Sequence, residues 1–255
     1  MRRASLDPDQ MPPEGRTGGR FSLPESVAHY LRDVLRMEVG APVELFDGTG
    51  RVIVGSLIEV TDNRVTVRIE EDRHTERGES PCEVTLVQAI PKGKRWKMVL
   101  EKATELGVDR IVPLESKRTV VDIRASKVDR KLERWERIVD AAARQCERTV
   151  TPRVTAPKSL EEALEVVAKT PSIVAHTDGD PPGIAGALDE LGSDDGRPEA
   201  CAVWIGPEGG FTSDEVARLE EAGAQPFHLG PRILRAETAG IIAVGLLQAR
   251  LGDMK

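Results

Sequence analysis

The chain has 255 residues, 39% of them hydrophobic, with 36 Lys and Arg against 43 Asp and Glu. This composition suits one large or two modest globular domains with an ordinary core and is too apolar for a disordered chain. No run of 18 apolar residues occurs and none follows Arg2 and Arg3, so neither a membrane span nor a secretory signal is expected; Cys82, Cys146 and Cys201 lie too far apart for a CxxC pair, which argues against a zinc site or a disulfide framework and fits a cytoplasmic protein.

Residues 1–20 are rich in Pro, Gly and polar side chains and predict a flexible N-terminal arm. A helix is expected over 24–36, opened by Pro24, with Val27, Leu31, Val34 and Leu35 at helical spacing. Strand-like runs follow at 43–46, 52–60 and 65–69, joined by Asp47-Gly48-Thr49-Gly50 and Thr61-Asp62-Asn63. Together they predict a small β-barrel domain over 21–75. The charged stretch 70–81 marks a domain boundary.

From 82 to 255 the pattern changes. Strands are expected at 84–90, 108–114, 172–176, 201–205 and 227–229. Helices are expected at 96–106, 131–148, 159–169, 213–222 and 236–251. Alternation of this kind predicts an α/β domain with a parallel sheet covered on both faces. The Gly- and Asp-rich stretch 178–198 is expected to hold a mobile loop.

Charge is segregated along the chain. Residues 1–87 carry 11 cations and 16 anions, 88–153 carry 17 and 10, and 154–255 carry 8 and 17. The basic middle block, with Lys92, Lys94, Arg95 and Lys97, is either a solvated helix face or a surface for a polyanion.

Two local motifs carry chemistry. In Val203-Trp204-Ile205-Gly206-Pro207-Glu208-Gly209-Gly210-Phe211-Thr212, an apolar strand runs through a glycine loop into a helix, and Thr212 with Glu215 fits a capping box. The loop is either a tight structural turn or a site where backbone N–H groups meet a ligand. It matches neither GxxxxGK[ST] nor GxGxxG. In Leu229-Gly230-Pro231-Arg232-Ile233-Leu234-Arg235-Ala236-Glu237-Thr238-Ala239, a second strand enters a second helix. Glu237 suits the helix dipole there, whereas the cation Arg235 is slightly disfavoured, which points to a role beyond stability. The four histidines show no metal-ligand spacing. Trp96, Trp135 and Trp204 either pack in a core or, for the first two, stack on a base.

These motifs resemble those of the bacterial RsmE family, SPOUT-class enzymes that methylate N3 of a uridine in 16S ribosomal RNA. Further segments agree: 29–36 with Leu45-Phe46-Asp47-Gly48, Lys94-Arg95-Trp96-Lys97, Glu101 through Val108, Arg134-Trp135 and Arg144-Gln145-Cys146. The match spans about residues 20–250. The resemblance implies a PUA-like RNA-binding barrel followed by a trefoil-knotted methyltransferase domain, dimeric through its last helix. It implies S-adenosylmethionine held by His176 and Thr177, by Gly206, Pro207, Glu208, Gly209 and Gly210, and by Leu229, Gly230, Ile233, Leu234, Arg235 and Thr238. Arg20, Arg32, Arg36, Lys92, Lys94, Arg95 and Lys97 would face RNA.

The substrate sets the chemistry. N3 of uracil carries a proton on its pairing edge, so the base must be unpaired and deprotonated. Arg235 is the candidate to stabilise the resulting charge. Glu237 is the candidate base, with Glu208 second, or else Glu237 is a helix-end carboxylate that contacts the cofactor or Arg235. Two rivals remain: a non-catalytic ribosome-assembly protein, and a SPOUT enzyme acting on a ribose 2′-OH or a guanine N1.

Overall fold

The computed structural model describes residues 1–121, 125–191 and 198–254. The chain divides into two compact units, Met1–Glu79 with Ala143–Thr151, and Ser80–Ala142 with Pro152–Lys255.

The first unit holds strands β1 (Arg2–Ser5), β2 (Arg20–Ser22), β3 (Pro42–Phe46), β4 (Arg51–Thr61) and β5 (Arg64–His74), and helix α1 (Glu25–His29), which continues as one wide turn over Tyr30–Val34. Its sheet runs β1-β3-β4-β5-β2; only β1 and β3 pair in parallel. Leu31, Leu45, Ile53, Leu57 and Ile69 are fully buried beneath it. The helix, the three runs and both turns predicted in this region are present.

Two features depart from expectation. The N-terminal arm does not hang free. Residues Arg2 to Ser5 pair with Val43 to Phe46, and Ala4 and Leu6 enter the core. The reason is long-range. The Arg3 guanidinium donates to the buried Glu44 carboxylate at 2.6 Å and lies over the Phe46 ring at 4.5 Å. The third β-run also extends through the charged stretch to His74. There the Arg51 guanidinium pairs with Asp72, its Nη2 at 2.9 Å and both side chains almost fully buried, and the same Nη2 donates to the Pro12 carbonyl at 2.8 Å. The Arg51 hydrogen bond holds the Asp72 carboxyl below the usual carboxylate range.

The second unit contains β6 (Glu83–Ala89), α2 (Arg95–Glu105), β7 (Arg110–Leu114), α3 (Val128–Gln145, whose last residues belong to the first unit), β8 (Arg153–Val154), α4 (Leu160–Val166), β9 (Ser172–Ala175), α5 (Ile184–Leu191), β10 (Ala200–Ile205), α6 (Ser213–Glu221), β11 (Gln225–Phe227) and α7 (Ala236–Arg250). All six strands run parallel in the order β11-β9-β10-β6-β7-β8. Register explains the apolar strands. Ile173, Val203, Leu86 and Ile111 stand side by side on one face, and Val174, Trp204, Val87 and Val112 on the other. The first face packs against α2, α5 and α7, and the second against α4 and α6. Both faces are buried, so period-two alternation is absent from the sequence.

Helix α5 occupies part of the stretch expected to be a mobile loop; residues 192–197 lie outside those described. Trp96 and Trp135 are buried and meet edge to face, with centroids 5.7 Å apart, so both pack and neither is presented to a base. No helix among the described residues is long and apolar enough to cross a membrane.

Candidate functional site

Strands β9, β10 and β11 end on the same side of the sheet, and the loops after them enclose a cleft of about 340 Å³. In a parallel sheet this is the edge where ligands bind, because backbone groups are freed there without an adjacent strand to satisfy them. The first wall is His176, Thr177 and Asp178; the second is the 205–211 loop; the third is 227–230 with Arg232, Ile233 and Leu234, closed by Ala236 and Ala239 of α7. His176, Thr177, Gly206, Pro207, Glu208, Gly209, Gly210, Leu229, Gly230, Ile233 and Leu234 are therefore brought together. Arg235 lies between two lining residues with its own side chain exposed, and Thr238 points outward from the first turn of α7.

The glycine loop is held by its surroundings. Gly210 has φ +68°, a left-handed conformation that favours glycine, and its N–H donates to the Pro207 carbonyl at 2.8 Å. The expected capping box is formed: the Thr212 hydroxyl accepts from Glu215 N–H, and the Glu215 carboxylate accepts from Thr212 N–H at 2.8 Å. The other Glu215 oxygen accepts from Lys117 N–H at 2.8 Å. Arg118, which sequence reasoning passed over, donates to the Gly209 carbonyl at 2.7 Å and to the Phe211 carbonyl at 3.3 Å. Nothing local in the sequence marks Arg118, since its partners lie about 90 residues away.

The two candidate carboxylates differ. Glu208 lines the cleft and is partly exposed, whereas Glu237 is 4% exposed and does not line it. Arg95 connects them: its Nη1 lies 3.1 Å from Glu208 and its Nε 3.4 Å from Glu237. The second oxygen of Glu237 has no hydrogen-bond partner among the described residues. Gln88, fully buried at the end of β6, donates to the Ala236 carbonyl at 2.9 Å and lies so close to Gly240 that any Cβ there would collide with it. Helix α7 is thereby pinned at its start. Arg235 caps that helix without a side-chain hydrogen bond and pairs with no described residue.

The cations expected to face RNA fall into two groups. Arg20, Arg36, Lys92 and Lys94 are exposed. Arg32 has its donors taken by Asp33, Glu25 and the carbonyls of Thr61 and Asp62. Arg95 turns to the two glutamates, and Lys97 pairs with Glu101 at 3.2 Å. Burial pushes the Cys82 thiol up to about 11 and that of Cys201 up to about 12, so neither supplies a thiolate nucleophile at neutral pH.

Against known proteins, the family model described as an RNA methyltransferase domain matches residues 78–248, and one described as an RNA methyltransferase PUA domain matches residues 23–70. The fold is that of this class. The Ribosomal RNA small subunit methyltransferase E of Synechocystis is 34% identical over 94% of this chain and 76% of its own, and that of Bacillus subtilis is 31% identical over 89% of each. The crystal structure of a Neisseria gonorrhoeae Ribosomal RNA small subunit methyltransferase E bound to S-adenosyl methionine superposes with a TM-score of 0.84 at 31% identity, covering 100% of both chains. The chain belongs to the ribosomal RNA small subunit methyltransferase E family.

Proposed function

We propose that the protein transfers the methyl group of S-adenosylmethionine to N3 of a uridine in 16S ribosomal RNA. The observation that carries this reading is the cleft at the ends of β9, β10 and β11, rimmed by an unpaired arginine, Arg235. The cleft fits the cofactor. Its volume of about 340 Å³ suits a ligand of that size, its walls include Ile205, Phe227, Leu229 and Leu234, and its glycine loop admits close backbone approach. The cofactor supplies an electrophilic methyl on a sulfonium.

The chain's own groups do the rest. Arg235 presents a planar fork of donors to a uracil that gains negative charge as N3 loses its proton. Of the two carboxylates, Glu208 is the better placed proton acceptor because it lines the cleft. Glu237 then holds Arg95, and this changes the assignment expected from the sequence. His176, Thr177, the 206–210 loop and 229–234 form the cofactor shell.

The same reading includes a knotted path for the cleft-forming loops, a PUA-like closure of the five-stranded sheet, and a cytoplasmic homodimer working on the small ribosomal subunit. The dimer is supported by Ile242 and Leu246, exposed one turn apart on α7, and by exposed Met98 on α2, which packs beside α7. The test is nucleoside mass spectrometry of ribosomal RNA from cells lacking the protein. Loss of N3-methyluridine is expected. Its persistence, or loss of a 2′-O-methyl nucleoside or of 1-methylguanosine instead, overturns the reading, and absence of any affinity for S-adenosylmethionine favours a non-catalytic assembly protein.

A further inference from the structure

On the first unit's sheet, Arg20 of β2 and Arg68 of β5 are registered cross-strand partners, and Ser22 stands opposite Thr66 in the same ladder. Arg64 shares the outward face of β5, two and four residues from Thr66 and Arg68. These side chains line an open groove of about 630 Å³. All three arginines are exposed, and no described carboxylate pairs with any of them. The one acidic group in the groove, Glu59, accepts a hydrogen bond from the Thr66 hydroxyl at 2.9 Å.

This arrangement is costly for the isolated protein. Like charges directly opposite each other on neighbouring strands repel and destabilise the pair. Several other cations of the same unit are neutralised: Arg3 by Glu44, Arg51 by Asp72, Arg148 by Glu79 and Arg32 by Asp33. The strand carrying Arg20 is also held firmly. Gly18 N–H donates to the Ile69 carbonyl at 2.7 Å, and Ile69 N–H to the Gly19 carbonyl at 2.9 Å. Three unneutralised guanidiniums thus stand along one groove, on a backbone held by its ladder hydrogen bonds.

We propose that this groove is a docking site for the phosphodiester backbone of the RNA substrate. Each guanidinium meets phosphate oxygens as a fork, with the Ser22 hydroxyl as a further donor. A bound polyanion removes the Arg20–Arg68 repulsion, so the feature that is unfavourable in the free chain becomes favourable in the complex. The contact is to backbone, because the groove offers no exposed aromatic ring on which a base would stack. Arg32, although basic and nearby in sequence, takes no part, since its donors are used internally. The proposal rests on the ribosomal RNA substrate proposed above.

The test measures binding of naked small-subunit ribosomal RNA across a salt series. The wild type is compared with two triple variants, Arg20→Gln/Arg64→Gln/Arg68→Gln and Arg20→Lys/Arg64→Lys/Arg68→Lys. With about 0.7 counterions released per single-strand phosphate, the Gln variant is expected to show a log–log salt slope shallower by about 2. The Lys variant keeps the wild-type slope. Thermal melts and calorimetric S-adenosylmethionine affinity stay unchanged in both, since these side chains are exposed and belong to the unit that lacks the cleft. A Gln variant with the wild-type slope and intact methylation overturns the groove alone. A wild type that neither binds nor methylates ribosomal RNA overturns the substrate reading with it. Competition by polyglutamate as effective as RNA at equal charge assigns the groove to an acidic protein and overturns the RNA occupant.

Discussion

In the 206–212 loop, the Gly210 amide, the Gly209 and Phe211 carbonyls and the Thr212 backbone all have partners within the second unit. In the 230–235 loop, the described ties lie at its two ends: Gly230 N–H donates to His228 Nδ1 at 2.9 Å, and the Arg235 carbonyl accepts from Ala239 N–H at 2.8 Å. The side chains of Arg232, Ile233 and Arg235 project from the chain, without a side-chain partner among the described residues, with Ile233 96% exposed. Folding stability gains nothing from an exposed isoleucine between two unpaired cations. The contrast separates two tasks at one cleft. The first loop is a cradle shaped before any ligand arrives, which limits the ordering cost of binding. In the function proposed above, the second is the surface that meets a group from outside the chain.

Substitutions can break this contrast at either loop. The largest effect is expected at Arg235. Arg235→Ala should keep the fold and most RNA affinity but lose roughly 10²–10³ in single-turnover methylation, the scale of one lost charge-stabilising donor. Arg235→Lys should recover part of the rate because charge remains while the planar fork is lost. A near-normal rate for Arg235→Ala removes it from the chemistry.

The cradle should respond in affinity instead. A Cβ at Gly209 meets Arg118 at 3.4 Å, an ordinary contact, so the fold tolerates it. The γ-methyls of Gly209→Val crowd the cleft, and S-adenosylmethionine affinity should fall roughly 5- to 150-fold, from an overpacking cost of about 1–3 kcal/mol. Unchanged affinity by calorimetry removes the loop from the cofactor site. Arg118→Ala frees the same loop without filling the cleft. It should weaken cofactor binding about fivefold, from about 1 kcal/mol of net hydrogen bonding at an exposed side chain, with turnover at saturating cofactor nearly unchanged.

Smaller effects test stability. Thr212→Ala removes the cap of α6 and should cost about 1 kcal/mol in urea unfolding. Ile233→Ser should leave the unfolding midpoint unmoved, because a side chain 96% exposed buries nothing on folding. A destabilised Ile233→Ser protein, with Thr212→Ala neutral, would reverse the roles given to the two loops.

Much of the second unit was legible in sequence because its signals are short-range. Apolar runs and helical stripes predicted most of the alternating elements, and the capping box of Thr212 with Glu215 sits within a single turn. The glycine motif and its neighbours predicted most residues that line the cleft. The N-terminal strand was not legible: a segment whose core-facing residues are only Ala4 and Leu6 reads as an arm until β3 lies beside it. Charge was misleading for the same reason. Arg32 and Arg95 look free in the chain, but Arg32 has internal partners and Arg95 reaches Glu208 across 113 residues.

By itself, the sequence determined the order of most elements, the parallel α/β class and the loops that line the cleft, since each depends on spacing within a few residues. Tertiary structure alone decided which charges are neutralised. It buried Glu237 against Arg95 outside the cleft, left Arg235 bare at its rim, and set Arg20 opposite Arg68 on neighbouring strands. Those outcomes depend on register and on partners tens of residues apart, and a charge on an isolated sequence carries no record of what will face it.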